Sequence, residues 1–155
     1  GSYTPEDDEV VIYSGSVYVH TEDFATLLAT LLAQRGVRNT KVYDISSIDV
    51  SYLLSEAFRA KVLVFAASSY NGGIFTPMEN FLMDLVAHNF QNRDVFVVEN
   101  GSWALTAGKG MREIIGQLKK VNIADETISI KSLLKNAQYD EVVAMADKIV
   151  EDLKK

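Results

Sequence analysis

Strand-like apolar segments alternate with helix-like segments along the whole chain, and this alternation constrains the fold more than any other feature of the sequence. The strand-like segments are short runs of β-branched, aromatic and other apolar residues at 10–13, 41–44, 61–67, 94–98 and 127–130. The helix-like segments repeat apolar residues every three or four positions at 21–34, 50–59, 76–90, 109–120 and 139–153. This pattern predicts an α/β fold in which helices cover both faces of a parallel sheet, because right-handed crossovers return each strand to the same direction.

Five strand–helix units also predict the order of the strands. We expect a three-layer αβα sandwich built on a five-stranded parallel sheet with the order 2-1-3-4-5. Central strands of such a sheet are covered on both faces, which agrees with the continuously apolar segments 61–67 and 94–98. Sheets of this order bind ligands beyond the carboxyl ends of the strands, near the first and third strands. A binding site is therefore expected at that edge.

The composition is that of one globular domain and excludes several kinds of site. The chain has 155 residues, of which 48% are hydrophobic and 23% are charged. It contains no cysteine, so disulfides, iron–sulfur clusters and thiolate zinc sites are excluded. The net charge of −6 argues against binding to nucleic acids or anionic membranes and favours a basic protein partner. No apolar stretch approaches the roughly 18 residues that cross a bilayer.

Three loops follow strands at the expected binding edge, and each is richer in Gly, Ser, Asn and aromatic residues than a plain connection needs. Loop 1 is SGSVYVHT at 14–21, loop 2 is SSYNGGIFTP at 68–77, and loop 3 is ENGSWALTAGKG at 99–110. Binding residues are commonly carried by loops that a rigid sheet positions. Enrichment at one edge therefore indicates a ligand site, with long connections that bind nothing as the alternative.

Loop 1 has the composition of a phosphate-binding turn. Ser14, Ser16 and Thr21 offer hydroxyl donors, and the backbone amides from Tyr18 to Glu22 lead into the N-terminus of the first helix. The loop contains no lysine or arginine, and the chain has no G-x-x-x-x-G-K-[ST] sequence. These features favour a phosphomonoester held by amides and hydroxyls over a nucleoside triphosphate with Mg²⁺. The alternative is that the Ser and Thr residues are helix caps.

Loops 2 and 3 supply flat apolar groups. Tyr70 and Trp103, together with Tyr18 of loop 1, are expected to sandwich a planar ring, while Asn71-Gly72-Gly73 permits close backbone approach. A phosphate cradle beside aromatic residues is what flavin mononucleotide (FMN) requires. Taken separately, Trp103 could pack on its own domain and the Asn-Gly-Gly stretch could form a tight turn.

Motifs in the three loops follow one another in an order that resembles a known family. They comprise Tyr18 with Thr21-Glu22 in loop 1, SYNGGIF at 69–75 with Pro77 in loop 2, and Gly101-Ser102-Trp103 in loop 3. In these motifs, and in SIDVS at 47–51 before the second helix, the chain resembles flavodoxins. It is more similar still to the flavodoxin-like domain of flavodiiron proteins (A-type flavoproteins). The resemblance covers essentially the whole chain.

For the site, the resemblance implies bound FMN, with no catalytic residue and no metal ligand in this chain. The residues expected to bind FMN are Ser14, Ser16, Val17, Tyr18, His20, Thr21, Ser68, Ser69, Tyr70, Asn71, Gly72, Asn100, Gly101, Ser102 and Trp103.

For the function, the resemblance implies electron transfer. Residues 10–155 would form the flavodoxin-like domain, and residues 1–9 a linker or the remnant of a trimmed end. The partners would be a β-lactamase-like diiron domain in the same full-length protein, which reduces dioxygen or nitric oxide, and a redox donor protein. The resemblance also implies a cytoplasmic location and a possible homodimer of the full-length protein.

The sequence departs from the family pattern in all three loops. Val19 stands where the family has glycine and His20 where it has serine or asparagine; 67–69 (ASS) replaces Ser-Pro-Thr, and Gly101-Ser102 replaces Tyr-Gly. If position 19 needs a left-handed backbone, a β-branched residue there costs about 1–2 kcal/mol, which is roughly a tenfold loss of affinity. Each remaining charge-assisted hydrogen bond contributes about 1.5–3 kcal/mol. Loop 1 is therefore predicted to bind phosphate, but more weakly than the family pattern would.

Other functions remain open at this point. A free-standing flavodoxin or an FMN-dependent quinone or NAD(P)H reductase would use the same site, and a degenerate, flavin-free interaction domain would keep only the fold. A phosphoacceptor receiver domain shares the strand order but needs acidic residues where this chain has Ser14 and Ala67-Ser68.

Overall fold

The computed structural model describes residues 8–15, 20–70, 73–100, 107–124, 128–130 and 136–155, with the backbone alone at 20–23, 70, 100, 130, 136 and 137. Strands and helices alternate along these residues as the sequence predicts. The strands are β1 (Val10–Gly15), β2 (Thr40–Asp44), β3 (Val62–Tyr70), β4 (Gly73–Ile74), β5 (Arg93–Asn100), β6 (Val121–Ile123) and β7 (Ile128–Ile130). The helices are α1 (His20–Gln34), α2 (Val50–Arg59), α3 (Thr76–Ala87), α4 (Ala107–Ile115) and α5 (Asn136–Leu153).

The main sheet is parallel and has the order β2-β1-β3-β5-β6. With the predicted strands counted along the chain, this is the order 2-1-3-4-5, and the αβα sandwich is confirmed. Two strands were not predicted. The short strand β4 pairs antiparallel with β3, and β6 is an additional strand before β7, the strand predicted at 127–130; β6 and β7 pair with different halves of β5.

The additional strand β6 follows from the early end of α4. The predicted helix at 109–120 begins at Ala107 and stops at Ile115, since the chain turns at Gly116 and takes a positive φ of 54° at Lys120. The residues after this turn are then free to pair, and Val121 lies opposite Arg93 of β5. In the same way α3 ends at Ala87 rather than at residue 90, because Asn89 takes a positive φ of 57° and ends the helix.

Two apolar cores lie on opposite faces of the sheet. Alternate residues of β1 and β3, such as Ile12 and Val64, pack with α1 and α5, whereas Tyr13 and Phe65 pack with α2, α3 and α4. Helix α1 contributes a stripe at helical spacing to the first core, formed by Phe24, Leu28, Leu31 and Leu32. Among the described residues no helix combines the length and the hydropathy that crossing a membrane requires.

One buried and one partly buried cation hold the edge of the sheet opposite the predicted site. The Arg93 guanidinium donates to the carbonyl oxygens of Phe58 and Gln91, each at 2.6 Å, and lies 4.9 Å from the centre of the Phe90 ring. Burial lowers the pKa of Arg93 to about 10. Lys61 donates to the carbonyl oxygen of Leu153 at 2.9 Å and so caps the C-terminus of α5.

Tyr13 links the sheet to two helices near the carboxyl edge. Its ring is fully buried, stacks 5.5 Å from Phe65 and lies 4.7 Å from Phe81 of α3. Its hydroxyl donates to the carbonyl oxygen of Leu53 in α2 at 2.9 Å. Desolvation, followed by the negative charge of Glu56, raises the pKa of Tyr13 well above its ordinary value of 10.0.

Gly15 ends β1 in a space that has no room for a side chain. A Cβ atom at this position would lie 2.9 Å from both Cγ1 and Cδ1 of Ile45, and 3.0 Å from Cδ2 of Phe75. Because Gly15 has no side chain, Ile45 (after β2) and Phe75 (before α3) can pack over the end of β1. Loop 1 begins at this point.

The variant Tyr13→Phe should lower the free energy of unfolding by about 1 kcal/mol at pH 8, because it removes one buried hydrogen bond. Above pH 10 the unfolded Tyr13 ionises while the folded one stays neutral, so the wild-type protein should lose stability as the pH rises and the variant should lose less. Denaturant titrations at pH 8 and pH 11 measure both effects. Tyr139→Phe, at an exposed position, is the control, and equal alkaline losses in wild type and Tyr13→Phe would contradict the prediction.

The variant Gly15→Ala should lower the free energy of unfolding by about 1–3 kcal/mol through overpacking against Ile45 and Phe75. Ile45→Val removes Cδ1, one of the clashing atoms. The double variant should therefore lose less stability than the sum of the two single variants, as a double-mutant cycle in urea can measure. Strict additivity would show that the new methyl group does not meet Ile45.

Candidate functional site

The carboxyl ends of β1, β3 and β5 meet at one edge and place small polar residues side by side. Ser14 near the end of β1 is 3% exposed and Ser68 of β3 is fully buried. Ser14 follows Tyr13 and Ser68 follows Ala67, and successive side chains of a strand point to opposite faces. Both serines therefore lie on the face of the sheet that α1 covers. Ser68 lies opposite Asn100, the last residue of β5. Hydroxyl groups are thus held at the sheet edge beside the helix that follows loop 1.

One residue further along the strands, two small residues lie side by side in β1 and β3, and a carboxylate lies next to them in β5. Gly15 lies opposite Ala67, Ala67 opposite Glu99, and Glu99 opposite Ser129 of β7. Gly15 and Ala67 are both buried, and the side chains of Ile45 and Phe75 fill the space beside Gly15. This is the point between the first and third strands where the sequence predicts a ligand.

Loop 2 is built as an antiparallel hairpin, which the sequence analysis left open. Strand β3 continues three residues beyond the predicted end at Ala67, and Tyr70 lies opposite Gly73 while Ser69 lies opposite Ile74. The amide of Phe75 then donates to the carbonyl oxygen of Ser68 at 3.0 Å. The sequence signal was the Asn-Gly pair at 71–72, which is the commonest composition of a two-residue hairpin turn.

The helix N-termini at this edge differ in what their first amides bind. In α2 the amide of Ser51 donates to the Asp49 carboxylate at 2.7 Å, and in α3 the amide of Met78 donates to the carbonyl oxygen of Phe75 at 2.9 Å. In α4 the amide of Ala107 donates to Oγ of Ser69 at 3.1 Å. Side chains thus accept from amides at the starts of α2 and α4, whereas α3 has no side-chain cap. Helix α1 is the helix that begins directly after loop 1, only five residues beyond the end of β1.

Glu99 is a functional candidate that sequence reasoning missed. Its side chain is 8% exposed, its Oε2 accepts from the amide of Gly108 at 2.7 Å, and its Oε1 accepts from the hydroxyl of Ser129 at 2.7 Å. Buried carboxylates are rare unless both oxygens are bonded. Strand β5 was predicted to stop at Val98, so Glu99 was assigned to loop 3, and nothing in the sequence indicates that it is buried.

A cluster of phenol groups lies on the outer side of α2, next to the edge strand β2. The Tyr43 hydroxyl donates to the Glu56 carboxylate at 2.6 Å, and the Tyr52 ring packs edge-to-face on Tyr43 at 5.7 Å. Desolvation and the hydrogen bond to Glu56 both raise the pKa of Tyr43. This cluster lies at the edge of the sheet beside Tyr13 of β1, and β1 and β3 separate it from β5. Within the described ranges, His, Asp and Glu side chains form no group of three or more that could hold a metal ion.

The structure places part of the predicted binding set. Ser14, Ser68 and Ser69 lie at the carboxyl edge, and the backbones of His20 and Thr21 begin α1 while those of Tyr70 and Asn100 end their strands. The predicted residues that lie outside the described ranges are Ser16, Val17, Tyr18, Asn71, Gly72, Gly101, Ser102 and Trp103.

Comparison of the fold with solved structures finds the same architecture in flavodoxins and flavodiiron proteins. Rubredoxin oxygen:oxidoreductase from the anaerobe Desulfovibrio gigas matches 96% of this chain with a TM-score of 0.85 and 21% sequence identity. A flavodoxin from the domain Archaea matches 95% of this chain with a TM-score of 0.77 and 20% identity. The flavodiiron protein from Giardia intestinalis matches 94% of it with a TM-score of 0.78 and 15% identity. No protein-family profile matches the sequence, and no curated protein matches it.

The relatives differ in how much of their own length this chain covers. It spans 37% of the Desulfovibrio and Giardia proteins, whereas it spans 99% of the archaeal flavodoxin. The matches extend over nearly all of this chain at identities at or below 21%. The chain therefore has the flavodoxin fold, the fold that flavodoxins share with one part of flavodiiron proteins.

Proposed function

We propose that this chain binds FMN at the carboxyl edge of β1, β3 and β5 and acts as the electron-transfer domain of a flavodiiron-type oxidoreductase. The observation that carries the proposal is the convergence of Ser14, Ser68 and the start of α1 at the point between the first and third strands. The fold similarity to rubredoxin oxygen:oxidoreductase supports the choice of a flavodiiron-type protein.

The composition of loop 1 and the position of α1 support a phosphate site. Side chains accept from amides at the starts of α2 and α4, whereas α1 is the helix at this edge that follows the hydroxyl-rich loop. A helix N-terminus favours an anion through its amides and its dipole. Ser16 and Thr21 would donate to the phosphate together with the amides of residues 17–20. No lysine or arginine occurs between residues 14 and 34, so binding would rest on amides and hydroxyls.

The flat ring of FMN would lie beyond the carboxyl ends of β3 and β5, because Ile45 and Phe75 fill the space beside Gly15 at the end of β1. Tyr70 and Trp103 would pack on the two sides of the ring. Bound FMN would supply the ability to accept and donate electrons, whereas the protein binds it, orients it and sets the charge around it. The net charge of −6 would disfavour further negative charge on the ring and would attract a basic redox donor.

The coverage of the relatives supports a partner domain. Because this chain corresponds to about a third of the Desulfovibrio and Giardia proteins, we propose that a β-lactamase-like diiron domain in the same full-length protein receives its electrons, with residues 1–9 as the connection. A free-standing flavodoxin is the second candidate, and the full-length match to the archaeal flavodoxin favours it.

FMN titration is the first test of this proposal. The chain has one tryptophan, Trp103, so FMN that packs on loop 3 should quench the tryptophan emission as well as its own. We expect a dissociation constant that is micromolar or tighter for FMN and at least about tenfold weaker for riboflavin, which lacks the phosphate and its charge-assisted hydrogen bonds. Equal affinities would contradict the phosphate site, and the absence of any binding would leave a flavin-free interaction domain.

A second test concerns the residue that departs from the family pattern. Val19→Gly should tighten FMN binding by about tenfold, because glycine removes the cost of a left-handed backbone in loop 1. Riboflavin binding should change little, since the effect lies in the phosphate loop. Val17→Gly adds the same backbone freedom two residues away and should not tighten binding. Unchanged FMN affinity in Val19→Gly would mean that position 19 carries no backbone strain.

A further inference from the structure

The phenol cluster beside α2 joins a half-buried hydroxyl group to a buried carboxylate. The Tyr43 hydroxyl donates to Oε1 of Glu56 at 2.6 Å, a length typical of a strong, charge-assisted O–H···O⁻ bond. Glu56 is 5% exposed, and its Oε2 accepts no hydrogen bond from the described residues. The Arg59 guanidinium lies 3.9 Å from Oε2. The carboxylate is therefore placed to accept the phenolic proton of Tyr43.

Aromatic rings connect this pair both to the interior of the protein and to solvent. The Tyr43 ring lies 6.2 Å from the buried Tyr13 ring and 5.7 Å from the Tyr52 ring, measured between ring centres. Both distances are those of interacting aromatic pairs. Tyr52 is 53% exposed, and its hydroxyl lies 3.5 Å from that of Tyr43. Because electrons pass readily between neighbouring rings, Tyr43 can exchange an electron with a buried ring and with an exposed one.

Of these three phenols, Tyr43 has the best-placed base. The Tyr13 hydroxyl donates to the carbonyl oxygen of Leu53, and a backbone carbonyl is too weak a base to take a phenolic proton. The Tyr52 hydroxyl lies 3.4 Å from Oε1 of Glu56, which is longer than a good O–H···O bond. Loss of one electron turns a phenol into a strong acid, so oxidation at neutral pH is favoured where a base lies within hydrogen-bond reach. Tyr43 meets this condition.

We propose that Tyr43 and Glu56 form a one-electron oxidation site, at which a radical oxidant of the peroxyl class takes an electron from Tyr43 while the phenolic proton passes to Glu56. The O–H bond of Tyr43 breaks and an O–H bond forms on the Glu56 carboxyl group. The oxidant becomes its one-electron-reduced anion, and Tyr43 becomes a neutral phenoxyl radical. This inference goes beyond the proposed function, because the site shares no residue with the predicted FMN site and needs no FMN.

Tyr52 completes the site by connecting it to solvent. A hydrogen atom that passes from the Tyr52 hydroxyl to the Tyr43 radical, across 3.5 Å, restores Tyr43 and moves the radical to an exposed ring. A thiol or an ascorbate-type reductant in solution then gives a hydrogen atom to Tyr52, and Glu56 returns its proton to water. The oxidising equivalent thus leaves the protein without modifying the buried ring of Tyr13.

The test uses photogenerated tris(bipyridine)ruthenium(III), a cationic one-electron oxidant that the net charge of −6 attracts. The tyrosyl radical that forms after a light flash is followed in the ligand-free chain by its visible absorption and its electron paramagnetic resonance. Glu56→Gln keeps an acceptor oxygen for the Tyr43 hydroxyl but removes the base. Tyr43→Phe removes the proton donor and measures the contribution of the other aromatic residues. Tyr139→Phe, which removes an exposed tyrosine of α5, is the matched control.

The first readout is the rate of radical formation. Glu56→Gln and Tyr43→Phe should form the radical at least about tenfold more slowly than the wild type, because a positioned base accelerates proton transfer by about a hundredfold or more. Tyr139→Phe should match the wild type, and the wild-type rate should fall in D2O. A Glu56→Gln rate equal to that of the wild type would overturn the proposal. If Glu56→Gln does not fold, equal rates in Tyr43→Phe and Tyr139→Phe would overturn it.

The second readout is the decay of the radical when ascorbate is added. Tyr52→Phe should form the radical at nearly the wild-type rate, since Tyr43 and Glu56 remain, but the radical should persist severalfold longer because its connection to solvent is lost. Tyr139→Phe should decay like the wild type. Equal decay in Tyr52→Phe and the wild type would overturn the role of Tyr52, because the reductant would then reach Tyr43 directly.

Discussion

The parallel ladder that joins β1, β3 and β5 is the constraint on which the rest of the structure depends. β1 pairs with β3 from Val10 opposite Val62 to Gly15 opposite Ala67, and β3 continues in register with β5 from Val62 to Ser68. Both faces of these strands are buried, so a slip of one residue would exchange the two cores. Tyr13 and Phe65 would then face α1, where Ile12 and Val64 now pack. The observed register keeps each apolar residue in its own core. The same register determines which residue lies at the end of each strand.

The ends of the strands in turn decide the chemistry of the edge. Because the period of a strand is two residues, Ser14 and Ser68 lie on the face of α1 while Gly15, Ala67 and Glu99 lie on the face of α4. Hydroxyl groups are thereby placed beside the helix that follows loop 1. The carboxylate is placed beside α4, where it binds the amide of Gly108. Because side chains alternate between the two faces of the sheet, the hydroxyl groups lie on one face and the Glu99 carboxylate lies on the other.

The sequence allowed most of the fold to be predicted and less of the site. The five helices and the order of the main strands were predicted correctly, because apolar periodicity and crossover handedness depend on local sequence and general geometry. The ends of elements were predicted less well. The helix predicted at 109–120 stops at Ile115, and the strand predicted at 127–130 is preceded by a separate strand at Val121–Ile123. Gly116, directly after Ile115, was the signal for this end, whereas Lys120 takes its positive φ without being a glycine or asparagine.

What the sequence by itself determined is the α/β class, the order of the strands and the edge at which a ligand would bind, since these follow from the pattern of apolar residues. It also supplied the hydroxyl and aromatic residues of the three loops. Only the tertiary structure decided that the first amides of α4 bind Ser69 and Glu99, and that Glu99, assigned to a loop, is a buried residue bonded to Gly108 and Ser129. The physical reason is that hydrogen bonds between residues nine and thirty positions apart depend on how the strands and helices pack. No local pattern of residue types specifies that packing.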